Sequence, residues 1–524
     1  MWTKRKSEIH DIVSYVELCS GELFNDFLQN KTYRTNGLDD IAKILREYAI
    51  AQKPIKVVSD YDTDGVASSY IICSVLKKLG AKYSITIPKR ESEGYGLSEI
   101  IINRIKEPGS LLLTVDNGIA AAETIAIAKE AGMQVVILDH HNSDGTLPNA
   151  DIIVDPEVIS DGWDFIHYCA SGLSYLLARE MFPDDEPFLQ ECLKACCLAT
   201  IADVVPLLGE NRQFVLDGLA LLNNKKGLKK IGADELIRYI GELKKVSHWT
   251  VDDIAFKVTP CINAMSRMSD EGANEALKCF FATTESQSAI KADLLYTTNE
   301  SRKEIVDNYK ATMQPKGVNV KFIYDDMKEG ICGILAGQLC DEYNQPAFVM
   351  TKGSNGLIKG SGRSVPNIDI YDVLSKCTVL EKYGGHDQAA GFQLKEENVD
   401  TFLSQLDNLC PANSGEKIDY YDIEANISDF YNMYNVIRQV DVWGAGIQNP
   451  VIKVELNIVN HDYIGKDKVH LRVNTVEGIK GIGFSLAEKY ESMGCPNKIT
   501  AYGNIQPNYY NSTVTPQLQI IDIE

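Results

Sequence analysis

Short apolar runs alternate with longer amphipathic stretches over residues 54–156. The runs IKVV, LLLTV, QVVIL and DIIV are four or five residues long, and an aspartate follows each of them within two residues. The stretches between the runs, such as VASSYIICSVLKKLG, carry apolar residues at helical spacing. Strands that alternate with helices of this length predict a parallel sheet with helices on both faces.

The pattern changes along the rest of the chain. Residues 1–50 and 165–245 are predicted to be mostly helical, and residues 271–313 form one predicted long helix without proline. Residues 318–395 return to mixed strands and helices. Residues 420–524 are rich in strands such as VIKVELNIVN and KVHLRVNTV, which suits a small closed barrel. We therefore predict an α/β protein that ends in a β-barrel.

Composition narrows the class of protein. The chain has 524 residues, which at about 150 residues per domain predicts three to four domains. Apolar residues make up 44% and charged residues 24%, as in folded globular proteins. No apolar run approaches the roughly 18–20 residues of a membrane helix, and no secretory signal opens the chain. The 13 cysteines have no regular spacing and indicate reduced thiols. We expect a cytoplasmic protein with no membrane partner.

The charge balance bears on nucleic-acid binding. The chain holds 73 Asp+Glu against 52 Lys+Arg, a net charge of -21, whereas nucleic-acid binders usually carry basic excess. Residues 401–524 hold 15 Asp+Glu and nine Lys+Arg, so the predicted barrel is acidic as well. Any DNA path must therefore be a narrow local stripe that makes few phosphate contacts.

Acidic residues follow the ends of four predicted strands. They are Asp60, Asp62, Asp64, Asp116, Asp139 and Asp155. The carboxyl ends of parallel strands meet at one edge of a sheet, so these side chains should converge. Converging carboxylates repel one another unless a cation neutralises them. With His140 and His141 directly after Asp139, the ligand types suit Mn²⁺ or Mg²⁺.

Each of these aspartates alone also fits an ordinary turn or cap. The turn is the favoured interpretation for Asp155, which precedes a proline, and it is open for Asp64, which precedes a glycine. The complete set is different, because three aspartates in five residues, then DNG, then DHH, all follow apolar strands. The set as a whole favours a metal site.

Further motifs cover almost the whole chain. The segments SDYDTDGVASS, TVDNG, ILDHHN and TIADVVPLL carry the acidic residues and the histidine pair. Later segments include PCINAMSRM, GILAGQLCDEYNQPAFVM, KGSGRSVPNIDIYDVL, YGGHDQAAGF and VWGAGIQNPVI. In these segments the chain resembles the DHH/DHHA1 phosphoesterases, and within them the RecJ-type single-strand-specific 5′→3′ DNA exonucleases. The first three motifs are shared with pyrophosphatases and cyclic-dinucleotide phosphodiesterases, and the later ones are specific to the RecJ type.

The resemblance implies an α/β fold in which a parallel-sheet DHH domain is joined by a long helix to a smaller α/β DHHA1 domain, followed by an OB-like β-barrel. The implied segments are an N-terminal helical segment (1–50), the DHH catalytic domain (51–270), a connector helix (271–313), the DHHA1 domain (314–410) and the oligonucleotide-binding barrel (411–524). One departure is NYYNSTVTPQLQ, which stands where the family has a hairpin that contains tryptophan.

The resemblance also assigns site residues. The implied ligands of two ions, Mn²⁺ or Mg²⁺, are Asp62, Asp64, Asp116, His140 and Asp203. The implied catalytic groups close to the ions are Asp60, Asp139, His141 and Asn263, with Asp139 orienting a histidine. The implied phosphate-binding groups are Arg90, Arg267, Ser361, Gly362, Arg363, Gly385 and His386. Alternatives stay open, since Arg267 fits a surface ion pair, 361–363 an ordinary turn and His386 a loop histidine.

The implied function is two-metal hydrolysis of single-stranded DNA to 5′-mononucleotides in DNA repair and recombination. The implied partner is single-stranded DNA with a 5′ end, together with a single-strand-binding protein or a helicase, and the implied oligomeric state is a monomer. Two rivals remain. One is a related phosphodiesterase of short oligoribonucleotides or cyclic dinucleotides, against which the barrel argues. The other is a non-catalytic DNA-binding scaffold, against which the complete ligand set argues.

Overall fold

The computed structural model describes residues 2–94, 96–143, 145–353, 356–411, 419–510 and 513–524. The N-terminal segment contains strand β1 (Trp2–Lys4) and helices α1 (Ile12–Ser20), α2 (Phe24–Phe27) and α3 (Leu38–Ile50). The prediction that residues 1–50 are helical missed β1. This strand forms because it finds a distant partner in the barrel, which no local pattern reveals.

Five parallel strands form the first sheet, in the order β3–β2–β4–β5–β6. These strands are β2 (Ile55–Val58), β3 (Tyr83–Thr86), β4 (Leu111–Val115), β5 (Gln134–Leu138) and β6 (Ile152–Val154). The helices that alternate with the first four are α4 (Thr63–Lys78), α5 (Glu99–Ile105) and α6 (Ala122–Glu130). The sheet is buried between two apolar clusters, as the continuous apolar runs predict.

A helical layer follows this sheet. Its helices are α7 (Ala170–Met181), α8 (Glu186–Ala202), α9 (Gly209–Asn223), α10 (Gly232–Lys244), α11 (Val251–Asp253) and α12 (Thr259–Met268), with a π-helical turn at Ile254–Val258 before α12. No helix in the described part of the chain is both long enough and apolar enough to cross a membrane.

The predicted single helix over 271–313 is wrong, because two helices occupy this stretch. They are α13 (Gly272–Phe280) and α14 (Glu285–Thr312). Thr284 caps the second helix, since its side chain accepts a hydrogen bond from the backbone N–H of Gln287. Threonine followed three residues later by glutamine is a recognised start of a helix, so the sequence contained a signal for this break.

The second sheet is mixed, in the order β10–β11–β9–β8–β7, and only β7 and β8 run parallel. Its strands are β7 (Lys321–Tyr324), β8 (Ala347–Lys352), β9 (Ile358–Arg363), β10 (Leu380–Gly385) and β11 (Ala389–Leu394). The helices of this region are α15 (Glu329–Tyr343), α16 (Ile370–Ser375) and α17 (Val399–Leu409).

The C-terminal region confirms the predicted barrel. After β12 (Asp419–Tyr421), β13 (Ile423–Ala425) and α18 (Phe430–Val440), the elements are β14 (Ile452–Ile464), β15 (His470–Thr475), β16 (Lys480–Gly483), α19 (Ala487–Ser492), β17 (Lys498–Tyr510) and β18 (Thr513–Ile523). The order β14–β15–β16–β18–β17 closes because β14 also pairs with β17. The predicted boundary near residue 411 adjoins residues 412–418, which lie outside the described part of the chain.

The N-terminal strand ties the start of the chain to this barrel. β1 pairs in parallel with β12. The ring of Trp2 stacks on Tyr502 at a centroid distance of 4.4 Å, and its Nε1 donates a hydrogen bond to Asp522 at 2.9 Å. The first and last segments of the chain therefore share one structural unit.

Candidate active site

The carboxylates predicted to converge lie together at the carboxyl edge of the parallel sheet. Three sets of ligand atoms, each within 4.8 Å of one another, are Asp60/Asp62/Asp116, Asp64/His140/Asp203 and Asp116/His140/His141. Because Asp116 and His140 each belong to two sets, all five predicted metal ligands form one cluster. Asp60 and His141 lie in it too, next to the predicted ligands.

Two helix N-termini position the first two ligands. Asp62 caps α4, and its Oδ1 accepts hydrogen bonds from the backbone N–H groups of Asp64 at 2.9 Å and Gly65 at 3.1 Å. The carboxylate of Asp64 accepts from the N–H groups of Ala170 and Ser171, which open α7, at 2.7 and 2.8 Å. Helix N-termini favour negative charge, so the backbone donors orient both carboxylates.

The remaining ligands surround the imidazole of His140. Its Nε2 lies 3.1 Å from Asp116 Oδ1 and 3.7 Å from both Asp64 Oδ2 and Asp203 Oδ2. Asp203 stands at the end of α8, and Asp116 follows β4 in a left-handed backbone conformation with φ of 61°. Four segments distant in sequence therefore supply groups to one small volume.

Asp139 orients His141. Its Oδ1 lies 2.7 Å from His141 Nδ1, and its Oδ2 accepts a hydrogen bond from the backbone N–H of Ile119 at 3.0 Å. Burial opposes the ionisation of Asp139, but these bonds outweigh it and lower the pKa of Asp139. Burial also acts against the charged form of His141, yet the partnership with Asp139 prevails and raises the pKa of His141 to about 9.

The electrostatics of the cluster call for a cation. Burial first, and repulsion by neighbouring carboxylates second, raise the pKa of Asp60, Asp116 and Asp203 well above the usual value. The Oδ1 atom of Asp60 is buried and has no hydrogen-bond partner among the described residues. A divalent ion would supply the missing partner and the missing charge, and carboxylates with imidazole suit Mn²⁺ or Mg²⁺. The residues present therefore fit such ions.

Asn263 and two arginines border the cluster. Asn263 Oδ1 accepts hydrogen bonds from Thr63 N–H at 2.8 Å and Thr63 Oγ1 at 2.9 Å, which ties α12 to the start of α4. The guanidinium of Arg90 lies 4.8 Å above the ring of Tyr61. Burial, aided by repulsion from Arg90, lowers the pKa of Arg267 to about 10. Arg267 is half-buried and forms no ion pair with any residue that the structure describes, so the alternative of a surface ion pair is wrong.

The predicted group Ser361, Gly362 and Arg363 lies within strand β9, so the alternative of an ordinary turn is wrong. Arg363 Nη1 donates hydrogen bonds to Ser361 Oγ at 2.9 Å and Gly362 O at 2.8 Å. Gly362 has room for no side chain, because an added Cβ would lie 2.7 Å from the ring of Phe348. Strand β9 thus holds the guanidinium of Arg363 next to the hydroxyl of Ser361.

Helix α15 connects this group to Arg267. Arg267 Nη1 donates to the carbonyl of Gly330 at 3.2 Å, and a Cβ on Gly330 would lie 2.4 Å from Arg267 O. One turn later, a Cβ on Gly333 would lie 3.2 Å from both Arg363 Nη2 and Ser361 Oγ. The first turn of α15 therefore separates the two predicted phosphate-binding groups by a fixed distance.

Gly385 and His386 lie at the turn between β10 and β11. Gly385 has φ of 137°, and a Cβ there would lie 2.3 Å from the carbonyl of Ala389, so glycine is required. His386 is exposed at this turn, and its backbone N–H donates to the carbonyl of Ala389 at 2.8 Å. The structure leaves this histidine on the surface of the second α/β region, apart from the buried cluster.

Some groups of the site escaped prediction. The N-terminus of α7 holds Asp64 with backbone donors, and backbone donors carry no signature in residue type. The carboxylate of Asp155 is fully buried, and burial together with the charge of Asp139 raises its pKa to about 7. Its backbone carbonyl accepts hydrogen bonds from Val158 and Ile159, so the turn predicted there is present.

Three domain families match this chain in succession. The DHH family, N-terminal domain, matches residues 54–200, the DHHA1 domain matches residues 316–411, and the RecJ OB domain matches residues 421–522. Their order along the chain is the order of the parallel sheet, the mixed sheet and the barrel.

Two curated proteins are similar to this chain over most of its length. The chain is 29% identical over 510 residues to the single-stranded-DNA-specific exonuclease RecJ of Bacillus subtilis, an alignment that covers 94% of this chain and 64% of that protein. It is 28% identical over 470 residues to the protein of the same name from Haemophilus influenzae, covering 83% of this chain and 81% of that one. The chain thus spans slightly less than two thirds of the B. subtilis protein.

A solved structure has the same fold. The crystal structure of RecJ in complex with Mn²⁺ from Thermus thermophilus superposes with a TM-score of 0.81 at 22% identity, covering 98% of this chain and 75% of that one. The likeness extends over all three folded regions described above.

Proposed function

The chain belongs to the RecJ family of DHH and DHHA1 domain proteins, and from this premise we propose that it is a metal-dependent exonuclease that degrades single-stranded DNA from the 5′ end to mononucleotides. The observation that carries the proposal is the buried cluster of carboxylates around His140. Helix α15 connects this cluster to the guanidinium of Arg363 and the hydroxyl of Ser361.

Each residue has a stated role in this proposal. Asp62, Asp64, Asp116, His140 and Asp203 would hold two divalent ions, and Asp60 would complete the anionic surface. When bound, the ions supply positive charge at the phosphate and a polarised water for hydrolysis. His141, oriented by Asp139, stabilises charge on the scissile phosphate. Asn263 keeps the start of α4 in register with α12 through Thr63.

The phosphate-binding groups set the product. Arg90 and Arg267 bind the phosphates nearest the ions, while Ser361, Gly362 and Arg363 capture the 5′-terminal phosphate with a hydroxyl and a guanidinium. In this proposal Gly385 and His386 would add contacts to the same phosphate. Because the first turn of α15 fixes the spacing between Arg267 and Arg363, the enzyme would release one nucleotide at a time.

The barrel sets the substrate. Barrels of this type bind single strands through stacking and backbone charge, so a long single-stranded DNA fits better than a short oligoribonucleotide or a cyclic dinucleotide. We infer a monomer that acts in the cytoplasm in DNA repair and recombination, on ends exposed by a helicase or coated by a single-strand-binding protein.

One digestion tests the proposal. Long single-stranded DNA, labelled separately at the 5′ and the 3′ end, is incubated with Mn²⁺ and sampled at early times. The expected result is immediate release of the 5′ label as a mononucleotide, with the 3′ label still on long products. Early release of the 3′ label, or cleavage only of dimers to pentamers, would contradict the proposal. Duplex DNA with blunt ends is the control and should stay intact.

A further inference from the structure

A cavity lies in the helical layer, away from the cluster of predicted metal ligands, which is called the metal cluster below. Its volume is about 540 Å³, and its walls come from the second half of α4, the middle of α8, the start of α10 and the end of α13. Ser74 in its wall is ten residues from Asp64 along α4, which at 1.5 Å per residue is about 15 Å. Pockets of a few hundred Å³ accommodate small organic ligands.

One side of the cavity is aromatic. The rings of Tyr70 and Phe281 lie 5.0 Å apart at 54°, and Tyr70 also contacts Phe280 at 5.6 Å. Phe188 lines the cavity as well, with the ammonium of Lys78 at 5.4 Å from its ring centroid. Aromatic faces of this kind favour a planar ring by stacking.

The polar side of the cavity is basic in an otherwise acidic protein. Four lysines line it against two carboxylates, in a chain of net charge -21, and one of the four, Lys78, is paired with Asp185. The carboxylates are already engaged: Asp234 accepts two hydrogen bonds from the buried Lys194, at 2.6 and 2.8 Å, and Glu191 lies 2.8 Å from Lys229. Lys77 is exposed and forms no ion pair with any residue that the structure describes. Its charge remains available for an anion.

We propose that this cavity binds a nucleoside 5′-phosphate, with the base against Tyr70 and Phe281 and the phosphate at Lys77. A planar aromatic group joined to an anion matches the aromatic side and the free lysine at once. A free phosphate would leave the aromatic side unused, and a nucleoside would leave Lys77 unused.

The two helices of the cavity also lead to the metal cluster. Helix α4 begins beside the ligands Asp62 and Asp64, and α8 ends at the ligand Asp203. A ligand held between these helices would act on their packing, and their other ends carry three of the five predicted metal ligands. If the exonuclease proposed above is correct, its mononucleotide product belongs to the class that the cavity binds, and hydrolysis would be subject to feedback.

Binding is tested by isothermal titration calorimetry on the full chain in EDTA, with deoxyadenosine 5′-monophosphate as the probe. The expected result is one site whose affinity falls at least ten-fold in Lys77→Glu and in Ala195→Trp, which fills the cavity. Lys43→Glu, an exposed charge reversal on α3, should bind like the wild type. Arg267→Ala reports on any binding of the probe at the metal cluster. Phosphate alone and deoxyadenosine alone should each bind at least ten-fold more weakly.

Several outcomes would overturn the assignment. They are no binding at millimolar probe, equal affinity of Lys77→Glu and wild type, or loss of binding in Arg267→Ala alone, which would place the nucleotide at the metal cluster. Phosphate that binds as tightly as the nucleotide would reduce the cavity to an anion site and also refute the proposal. None of these measurements uses turnover, so they stand apart from the test of exonuclease activity.

The feedback has its own readout. Added deoxyadenosine 5′-monophosphate should slow wild-type digestion more than digestion by Lys77→Glu, measured as initial rates at equal Mn²⁺. Equal slowing of the two proteins would show that the nucleotide acts only at the metal cluster, and would overturn the feedback.

Discussion

Asp116 combines an unusual backbone with an unfavourable charge. Its φ of 61° lies in the left-handed region, which is uncommon for a residue with a side chain and typically costs on the order of 1–3 kcal/mol. Its carboxylate is buried beside Asp64, Asp62 and Asp60, which raises its pKa well above the usual value. Such features persist where the surroundings hold them, and here a bound cation would relieve the repulsion.

Asp116→Asn should therefore separate stability from activity. Asparagine tolerates the left-handed backbone and removes one charge, so the melting temperature of the metal-free protein should rise. The gain in melting temperature on adding Mn²⁺ should shrink. Cleavage should fall by more than the roughly 10–100-fold that loss of an outer metal partner costs. Thermal melts with and without Mn²⁺, and initial rates, measure these effects.

The control for this variant is Asp161→Asn, an exposed aspartate in a loop. It should change neither the metal-dependent gain in melting temperature nor the rate. Near-normal turnover of Asp116→Asn with Mn²⁺ would refute the ligand role of Asp116.

Arg363 is predicted to bind the 5′-terminal phosphate of the substrate. Hydrogen bonds to a charged group contribute about 1.5–3 kcal/mol, so Arg363→Ala should slow cleavage of 5′-phosphorylated DNA roughly 10- to 100-fold. DNA with a 5′-hydroxyl lacks the terminal phosphate and should lose much less. Matched substrates with the two ends give the ratio of kcat/KM, and Arg238→Ala on α10 is the control. Equal losses on both substrates would rule out the assigned role.

Among the secondary-structure elements, the contact between α12 and α15 decides the spacing of the predicted phosphate-binding groups. Gly330 allows the close approach, because a Cβ there would lie 2.4 Å from the backbone carbonyl of Arg267. Gly337, two turns further along α15, has open space, since the nearest atom to an added Cβ is Arg363 Cγ at 4.0 Å. The same helix therefore contains one glycine required by packing and one that is not.

This pair gives a matched test of the helix contact. Gly330→Ala should destabilise the protein by about 1–3 kcal/mol, because the backbone at Arg267 cannot move aside. Gly337→Ala should leave stability unchanged or raise it by up to roughly 1 kcal/mol, since alanine favours a helix over glycine. Melting temperatures of the two variants, measured side by side, show whether the close contact at Gly330 is required. Similar melting temperatures for the two variants would mean that α15 can shift away from Arg267 without loss of stability.

The long hairpin of β17 and β18 contains the segment that departs from the family pattern. Tyr509 stacks on His248 at a centroid distance of 4.0 Å and 17°, and Ser247 Oγ donates to the carbonyl of Tyr509 at 3.1 Å. The tip at residues 511–512 lies outside the described part of the chain. The hairpin thus joins the barrel to the helical layer of the catalytic region.

A double-mutant cycle measures the interaction between Tyr509 and His248. Stacked aromatic pairs contribute about 0.5–1.5 kcal/mol beyond the area they bury. Tyr509→Ala and His248→Ala should each lower the melting temperature, and the double variant should lower it by less than the sum. Fully additive losses would show that the two rings do not stabilise each other.

The proposed function requires an acidic protein to bind an acidic polymer. The net charge is -21, and the identified cations are few: Arg90, Arg267 and Arg363 near the proposed path. The metal ions would reverse the field of the carboxylate cluster locally. Most of the surface should repel DNA, which keeps duplex away and confines a single strand to one path.

Salt dependence tests this picture. For single strands, the logarithm of the binding constant falls with the logarithm of salt by about 0.7 per neutralised phosphate. Three to five contacts predict a slope of roughly -2 to -3.5. Fluorescence anisotropy of a labelled oligonucleotide with Asp116→Asn, which should not cleave it, gives the slope. A value steeper than about -7 would require some ten contacts and contradict a narrow path.

The sequence by itself determined the parallel sheet and the convergence of its acidic residues. Strands that alternate with helices run parallel, so their carboxyl ends lie at one edge of the sheet. The sequence alone therefore predicts that Asp62, Asp116 and His140 lie together. The barrel was equally predictable, because its strands are regular and local.

Tertiary structure decided what depends on distant partners. The strand at Trp2–Lys4 exists because it pairs with residues 419–421, and three residues carry too little local signal to predict it. Asp64 is held by the N–H groups of Ala170 and Ser171, which any residue type other than proline could donate. The spacing from Arg267 to Arg363 follows from how closely α15 packs at Gly330. The contact between Tyr509 and His248 follows from where the hairpin of β17 and β18 ends. Residue types and periodicity determine elements and their edges, whereas distances between elements arise only when the chain packs.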